Sequence, residues 1–147
     1  MINNKIKGLG EIILRVKDME LMKKFYNQTI GLELINESEN FSFFKIANGY
    51  GGHNQTLALF AKSNLNAFNE KFGDIKTMSS TLHHFALEID KVDYENILKF
   101  FKKKDIEYVT EVFEWIKWKS IFIKDPELNI VEFVCHDPEI KTTHNNT

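Results

Sequence analysis

The sequence predicts an α+β fold in which two tandem βαβββ modules form a curved, partly closed mixed sheet around a cavity, with the helices outside. Residues 9–60 and 82–134 repeat one order of elements, and within each segment the apolar residues switch between a spacing of two and a helical spacing. The 147 residues include 13 phenylalanines, which supply enough apolar material for a single domain over 1–147.

The first module, about 7–61, opens with a strand at 11–16. Three apolar residues alternate along this strand and should face a helix: Ile12, Leu14 and Val16. Asp18 is placed to cap the helix, and Gly31 is suited to end it. The apolar face of the helix is predicted to carry Met22, Phe25 and Tyr26. Three strands are predicted to follow, at 32–35, 41–46 and 56–60.

The second module, about 82–136, repeats this order from a strand at 84–89. Asp90 is again placed to cap a helix, whose apolar stripe is Tyr94, Ile97, Leu98 and Phe101. The strands that follow are predicted at 106–109, 120–123 and 130–134. A linker at 62–81 joins the modules, and a polar tail covers 137–147.

Charge and cysteine content restrict the class of protein. The formal net charge is −2 and lysine and glutamate are interleaved, so neither nucleic acid nor an anionic membrane is expected as a partner. No apolar run reaches the length of a membrane span. The single cysteine, Cys135, excludes an internal disulfide and fits a reducing compartment, so a cytoplasmic location is expected.

Three polar residues stand out on otherwise apolar strands: Glu11, His84 and Glu132. Because strand side chains alternate between faces, each is expected on the face opposite the helices, where the two modules would bring the three together. An unpaired carboxylate there is costly, and a divalent cation would offset that cost. Two carboxylates and one imidazole suit Mn²⁺, Fe²⁺, Zn²⁺ or Ni²⁺, with positions left open for water or substrate.

Each of these residues also has an interpretation without a metal. Glu11 could form an ion pair with Arg15 or a lysine, and His84 could line the cavity as a hydrogen-bonded histidine. Glu132 could pair with His84 alone. Ala58, at the position that answers Glu132 in the first module, offers no ligand atom.

Several further residues are candidates for substrate contacts. Arg15 could hold an anionic group, although a salt bridge to Glu88 is an alternative. Trp115 and Trp118 could line a pocket for an apolar ligand, or pack in the core or at a dimer contact. Two more residues are expected to have structural roles. His83 should point away from the cavity and be packed or at the surface, and Cys135 should be packed.

Five segments together resemble the glyoxalase / bleomycin resistance / extradiol dioxygenase superfamily, also called vicinal oxygen chelate. They are 9–18, Phe25-Tyr26, 30–34, 82–90 and the closing Asp125-Pro-Glu-Leu-Asn-Ile-Val-Glu-Phe133, which is the most specific of them. The resemblance covers nearly the whole chain. It implies that His84 and Glu132 occupy ligand positions, whereas Glu11 stands where the family commonly has histidine. Ala58 departs from the pattern of glyoxalase I, in which a fourth ligand is usual.

The resemblance leaves two functions open. The first is a small metalloenzyme of lyase, isomerase or dioxygenase type, in which the cation polarises an oxygen-bearing metabolite and Glu132 and Glu11 are the catalytic carboxylates. Glu11, if it leaves the metal, would be the base. The second is a metal-free protein that sequesters a drug or metabolite. A small-molecule ligand and a homodimer are expected in both cases.

Overall fold

The computed structural model of the protein describes residues 8–52, 54–65 and 82–141, which form one compact unit in each half of the chain. Each unit is a four-stranded mixed sheet with helical segments, and the order βαβββ occurs twice, as predicted. The α+β fold class is therefore confirmed. The predicted linker from 66 onward and the tail beyond 141 lie outside the described residues, and the single-domain organisation stays a prediction.

The described part of the first unit contains one α-helix and four strands. These are β1 (Glu11–Val16), α1 (Met19–Lys24), β2 (Glu33–Glu37), β3 (Phe41–Asn48) and β4 (Asn54–Ala61). The strand order is β1-β4-β3-β2. β1 runs parallel to β4, and the other two pairs are antiparallel.

Local signals set the ends of the first helix as the sequence predicts. The Asp18 carboxylate accepts a hydrogen bond from the backbone N–H of Leu21 at 3.0 Å, which satisfies an amide of the first turn. After α1 the chain continues in one wider turn, in which the N–H of Ile30 donates to the carbonyl of Phe25 at 3.0 Å. Gly31 then has a φ of 87°, a conformation that glycine adopts without steric cost.

The faces of β1 are divided as the alternation predicts. Leu14 and Val16 are buried, as are Met22 and Tyr26 of the helical segment. The other face carries Glu11, Ile13 and Arg15, of which Ile13 is half exposed. β1 thus has an apolar face and a second face that carries a carboxylate and a guanidinium.

In residues 82–141 the second unit contains one α-helix and four strands. These are β5 (Phe85–Glu88), α2 (Tyr94–Lys103), β6 (Tyr108–Phe113), β7 (Trp118–Lys124) and β8 (Ile130–His136). The order is β5-β8-β7-β6, with β5 parallel to β8. None of the helices in the described part of the chain is long and apolar enough to cross a membrane.

Two local predictions for the second unit are wrong. A single tight turn at Lys91–Asp93 precedes α2, and among the described residues Asp90 makes no side-chain capping hydrogen bond, because this turn separates it from the α-helix. β5 begins at Phe85, so His84 lies one residue before the strand. Cys135 is buried and free, as expected.

The pairing registers confirm that the two units repeat one plan. Ala58 in β4 lies between Ile13 of β1 and Phe43 of β3. Glu132 in β8 lies in the same way between Ala86 of β5 and Phe122 of β7. Ala58 and Glu132 are therefore equivalent positions, and only the second unit places a ligand atom there.

We expect the stability of the protein to fall at alkaline pH because of Tyr94. Its hydroxyl donates to the Ser120 carbonyl at 3.2 Å, and burial raises its pKa from 10.0 to about 12. A raised pKa means that the stabilisation is complete below pH 10 and is lost as the pH rises towards 12. Urea unfolding at a series of pH values should show a steeper loss in wild type than in Tyr94→Phe.

The matched control for this measurement is Tyr108→Phe. Tyr94→Phe starts about 1 kcal/mol less stable at neutral pH, since it lacks one hydrogen bond. Burial also raises the pKa of the Cys135 thiol, so part of the alkaline loss remains in Tyr94→Phe. Parallel pH profiles for wild type and Tyr94→Phe would contradict the assignment of this loss to Tyr94.

Candidate functional site

The second unit joins two of the three predicted ligands. His84 Nε2 lies 3.2 Å from Glu132 Oε2. Glu132 is 4% exposed, whereas about a third of the His84 side chain is open to solvent. A buried carboxylate needs partners of this kind, because burial without hydrogen bonds or charge pairing is costly.

Ser120 holds the same carboxylate from the other side. Its hydroxyl, which is fully buried, donates to Glu132 Oε1 at 2.6 Å. One carboxylate oxygen is thereby engaged by Ser120, and the other is directed towards His84. The sequence analysis did not identify Ser120 as a site residue. The available signal was its place on β7, two residues before Phe122, which pairs with Glu132.

A tight turn precedes β8, the strand that carries Glu132. Asp125 is 2% exposed, and its Oδ1 accepts hydrogen bonds from the backbone N–H groups of Glu127 and Asn129, each at 2.9 Å. Its Oδ2 accepts from the Asn129 side-chain amide at 2.8 Å. The Asp-Pro-x-x-Asn pattern is therefore a structural device that orients the strand carrying the candidate ligand.

The geometry of the pair fits a divalent cation. Two ligands at about 2.1 Å from one ion lie about 3.0 to 3.4 Å apart in octahedral or tetrahedral arrangements. The observed separation of 3.2 Å falls in that range. An imidazole nitrogen and a carboxylate oxygen are also donor types that borderline metals accept. The same pair is consistent with a simple hydrogen bond, which is the alternative that the sequence left open.

His83 lies at the surface and contacts the candidate ligand His84. Its Nδ1 is 2.6 Å from Nδ1 of His84, and the two ring centroids are 4.9 Å apart. Both residues precede β5, so the alternation that would direct neighbouring side chains to opposite faces does not apply to them. His83 is therefore exposed, as one alternative had it, but it contacts the candidate ligand.

The third predicted ligand, Glu11, belongs to the first unit. It is exposed, and its Oε1 accepts a hydrogen bond from Thr56 Oγ1 at 3.1 Å across the β1–β4 pair. Within either unit, the part of the chain that the structure describes contains no group of three His, Cys, Asp or Glu side chains that could hold a metal. The trio of Glu11, His84 and Glu132 thus stays a prediction that requires both units.

A cavity of about 490 Å³ lies in the second unit, and neither His84 nor Glu132 is among the residues that line it. It is lined by residues at the ends of β6 and β7 and by the Asp125–Asn129 turn. Phe122 belongs to its wall, and the Phe122 ring meets the His84 ring edge-on at a centroid distance of 5.9 Å. Lys124 and Glu107, both exposed, add charge to an otherwise mainly apolar lining. The volume lies in the usual range for small-molecule sites.

The three residues predicted to contact substrate lie in different parts of the structure. Trp118 lines a second cavity, of about 320 Å³, together with Glu88 and His136. Trp115 is 73% exposed and meets the Phe113 ring edge-on at 5.3 Å. Arg15 lies on β1 opposite Phe60 of β4. Their roles in binding stay predictions, as does the salt bridge between Arg15 and Glu88.

The first unit has an aromatic cluster where the second unit has its polar site residues. Phe41, Phe43 and Phe60 form a cluster with centroid distances between 5.3 and 6.4 Å. By register, Phe43 answers Phe122, and Phe41 answers Ser120. The sequence analysis did not single out this cluster, although the alternating phenylalanines of β3 were its signal. The hydrogen-bonded pair is thus confined to one copy of the repeat.

Comparisons with known proteins agree with this architecture. The family model described as Glyoxalase/Bleomycin resistance protein/Dioxygenase superfamily matches residues 8–133. The structure is similar to that of a lactoylglutathione lyase from Agrobacterium tumefaciens, with 24% identity, a TM-score of 0.67, and coverage of 86% of this chain and 92% of that one. At these identities, structural similarity establishes the fold.

Two further crystal structures have the same fold. A glyoxalase/bleomycin resistance protein/dioxygenase from Nocardioides is 17% identical, with a TM-score of 0.68 and coverage of 90% of this chain and 85% of that one. A genomically encoded fosfomycin resistance protein from Listeria monocytogenes is 20% identical, with a TM-score of 0.61 and coverage of 90% and 94%.

Proposed function

The chain belongs to the glyoxalase/bleomycin resistance protein/dioxygenase superfamily, and we propose that it is a metal-dependent enzyme acting on a small oxygen-bearing metabolite. The reaction would be of lyase, isomerase or dioxygenase type. His84, Glu132 and Glu11 would hold a divalent cation, which is Mn²⁺, Fe²⁺, Zn²⁺ or Ni²⁺ by the chemistry of the donors.

One observation carries this proposal: a buried carboxylate and an imidazole present their donor atoms to each other at 3.2 Å. The side chain of Glu132 is prepared for this role, because Ser120 occupies one oxygen and leaves the other for a cation. When bound, the cation supplies Lewis acidity towards substrate oxygens.

Glu132, His84 and Glu11 would have different roles. Glu132, on β8, and His84, one residue before β5, would hold the cation on the second unit. Glu11 is the more adaptable carboxylate, since it is exposed and, among the described residues, accepts a hydrogen bond from the neutral hydroxyl of Thr56. It is therefore the candidate for leaving the cation and accepting a proton from substrate.

The cavity whose wall includes Phe122 is the proposed place for the body of the substrate. Its apolar wall, with Phe122 next to His84, would exclude water from one side of the reacting group. Lys124 offers a positive charge for an anionic substituent. Trp118 and Arg15 remain secondary candidates for substrate contacts, together with Trp115.

Metal content and thermal stability test the proposal. Elemental analysis of natively purified protein is expected to find a transition metal near one equivalent per chain. After chelation, addition of Zn²⁺, Mn²⁺, Ni²⁺ or Fe²⁺ should raise the melting temperature. At a free ion concentration of 100 times Kd, the gain is about 2.7 kcal/mol, or about 5 to 10 °C. Mg²⁺, which prefers oxygen ligands, is the comparison ion.

A metal-free result would favour the alternative. If the native protein contains only traces of metal and none of the four ions changes its melting temperature, the metalloenzyme loses its basis. Mass spectrometry of co-purified small molecules would then examine the binding-protein function. A homodimer and a cytoplasmic location belong to this proposal, the latter because the one cysteine is a free, buried thiol.

A further inference from the structure

Among the described residues, His83 is a close polar neighbour of His84 that the proposed function does not yet use. Its Nδ1 lies 2.6 Å from Nδ1 of His84, which is a hydrogen-bonding distance. The ring planes meet at 68°, so the contact joins nitrogen to nitrogen and is not a stacked arrangement. The opposite nitrogen of His84, Nε2, faces Glu132 Oε2. Both nitrogens of His84 are therefore engaged.

The proton positions follow from the two contacts. A ring nitrogen that binds a cation must offer its lone pair, so a neutral His84 that binds through Nε2 carries its proton on Nδ1. That proton points at His83 Nδ1. Two nitrogens at this distance share one proton, so His83 accepts through Nδ1 and carries its own proton on Nε2.

We propose that His83 is a positioning residue for the metal site: it accepts a hydrogen bond from Nδ1–H of His84 and thereby holds the ring so that Nε2 faces the cation together with Glu132. This inference rests on the proposed function. Metal-binding histidines commonly donate their other N–H to a carboxylate, carbonyl or water. Here a second imidazole is the acceptor, and on the other ligand Ser120 donates a hydrogen bond to the Glu132 carboxylate.

An imidazole has one property in this place that a carboxylate lacks. Without a cation, Nε2–H of His84 donates to Glu132, and Nδ1 of His84 becomes an acceptor. His83 can then donate through Nδ1, and it can accept again when a cation binds. A carboxylate only accepts. His83 therefore supports the ring of His84 in both states, which keeps the site ordered before the cation arrives.

The test compares three variants with wild type. His83→Phe keeps a ring of similar size and removes the acceptor, whereas His83→Asn keeps an acceptor close to the position of Nδ1. His136→Phe makes the same change at another exposed histidine of the unit. The dissociation constant of Zn²⁺ is measured by competition with a chelator, and each melting temperature is recorded. Side-chain ¹⁵N NMR of the Zn²⁺-loaded protein reports which His84 nitrogen carries the proton.

The expected result is a 10- to 100-fold weaker Zn²⁺ affinity for His83→Phe. We expect His83→Asn and His136→Phe to stay within about three-fold of wild type. Wild type and His83→Asn should show His84 protonated at Nδ1 in one sharp state, and His83→Phe should show exchange broadening. Wild-type affinity in His83→Phe would overturn this inference but not the proposed function. Equal losses of affinity in His83→Phe and His83→Asn would do the same. Absence of Zn²⁺ binding by wild type would overturn the proposed function as well.

Discussion

His84→Ala is expected to weaken the binding of Zn²⁺ or Mn²⁺ by about 100-fold or more, because it removes one of only three predicted protein ligands. Isothermal titration calorimetry on chelator-treated protein measures this directly. The rise in melting temperature on addition of metal should disappear with it. Since the side chain is about one-third exposed, the metal-free variant should fold.

Glu132→Gln examines the second ligand with little change in shape. The amide can still accept the hydrogen bond from Ser120, but it lacks the charge that attracts the cation. We expect a comparable loss of affinity. His136→Ala and Glu111→Gln are the matched controls, because both are exposed residues of the same unit. If either ligand variant binds metal as wild type does, His84 and Glu132 do not form the centre.

Asp125→Ala is expected to lower the free energy of unfolding by about 3 kcal/mol, because three hydrogen bonds converge on this buried carboxylate. Without them the turn that precedes β8 loses the acceptor for two backbone amides. Urea unfolding measures the change, and the melting temperature should fall by about 6 to 12 °C.

Asp125→Asn separates geometry from charge in this turn. Its carbonyl oxygen can still accept from both backbone amides, so we expect a loss of only about 1 kcal/mol. Asp90→Ala is the matched control, since the structure gives that exposed residue no capping hydrogen bond. It should stay within about 0.5 kcal/mol of wild type. Equal effects of Asp125→Ala and Asp90→Ala would show that the turn does not depend on its carboxylate.

The two units of the repeat carry different side chains at equivalent positions. Equivalent strands carry Ala58 in one unit and Glu132 in the other, and equivalent positions on β3 and β7 carry Phe41 and Ser120. A buried carboxylate and its hydroxyl donor therefore occur together in the second unit, and neither occurs at the matching place in the first. This pairing is what burial requires, since an acceptor without its donor would be costly.

Local patterns in the sequence were sufficient for the elements and their faces. The alternation in β1, the Asp18 cap and the Gly31 terminator depend on neighbours a few residues away, and the structure confirms all three. The same holds for the repeated order of elements, because each module carries its own pattern. The Asp90 cap was wrong, since an extra turn before α2 has no clear signal in the sequence.

Only the tertiary structure decided which polar groups meet. His84 and Glu132 are far apart in the chain, and their contact depends on the parallel pairing of β5 with β8. Ser120 reaches Glu132 through the pairing of β7 with β8. His83 turns towards His84 because both precede the first residue of β5. Periodicity determined the face on which each strand residue lies, whereas pairing register and strand ends set the distances that make a site.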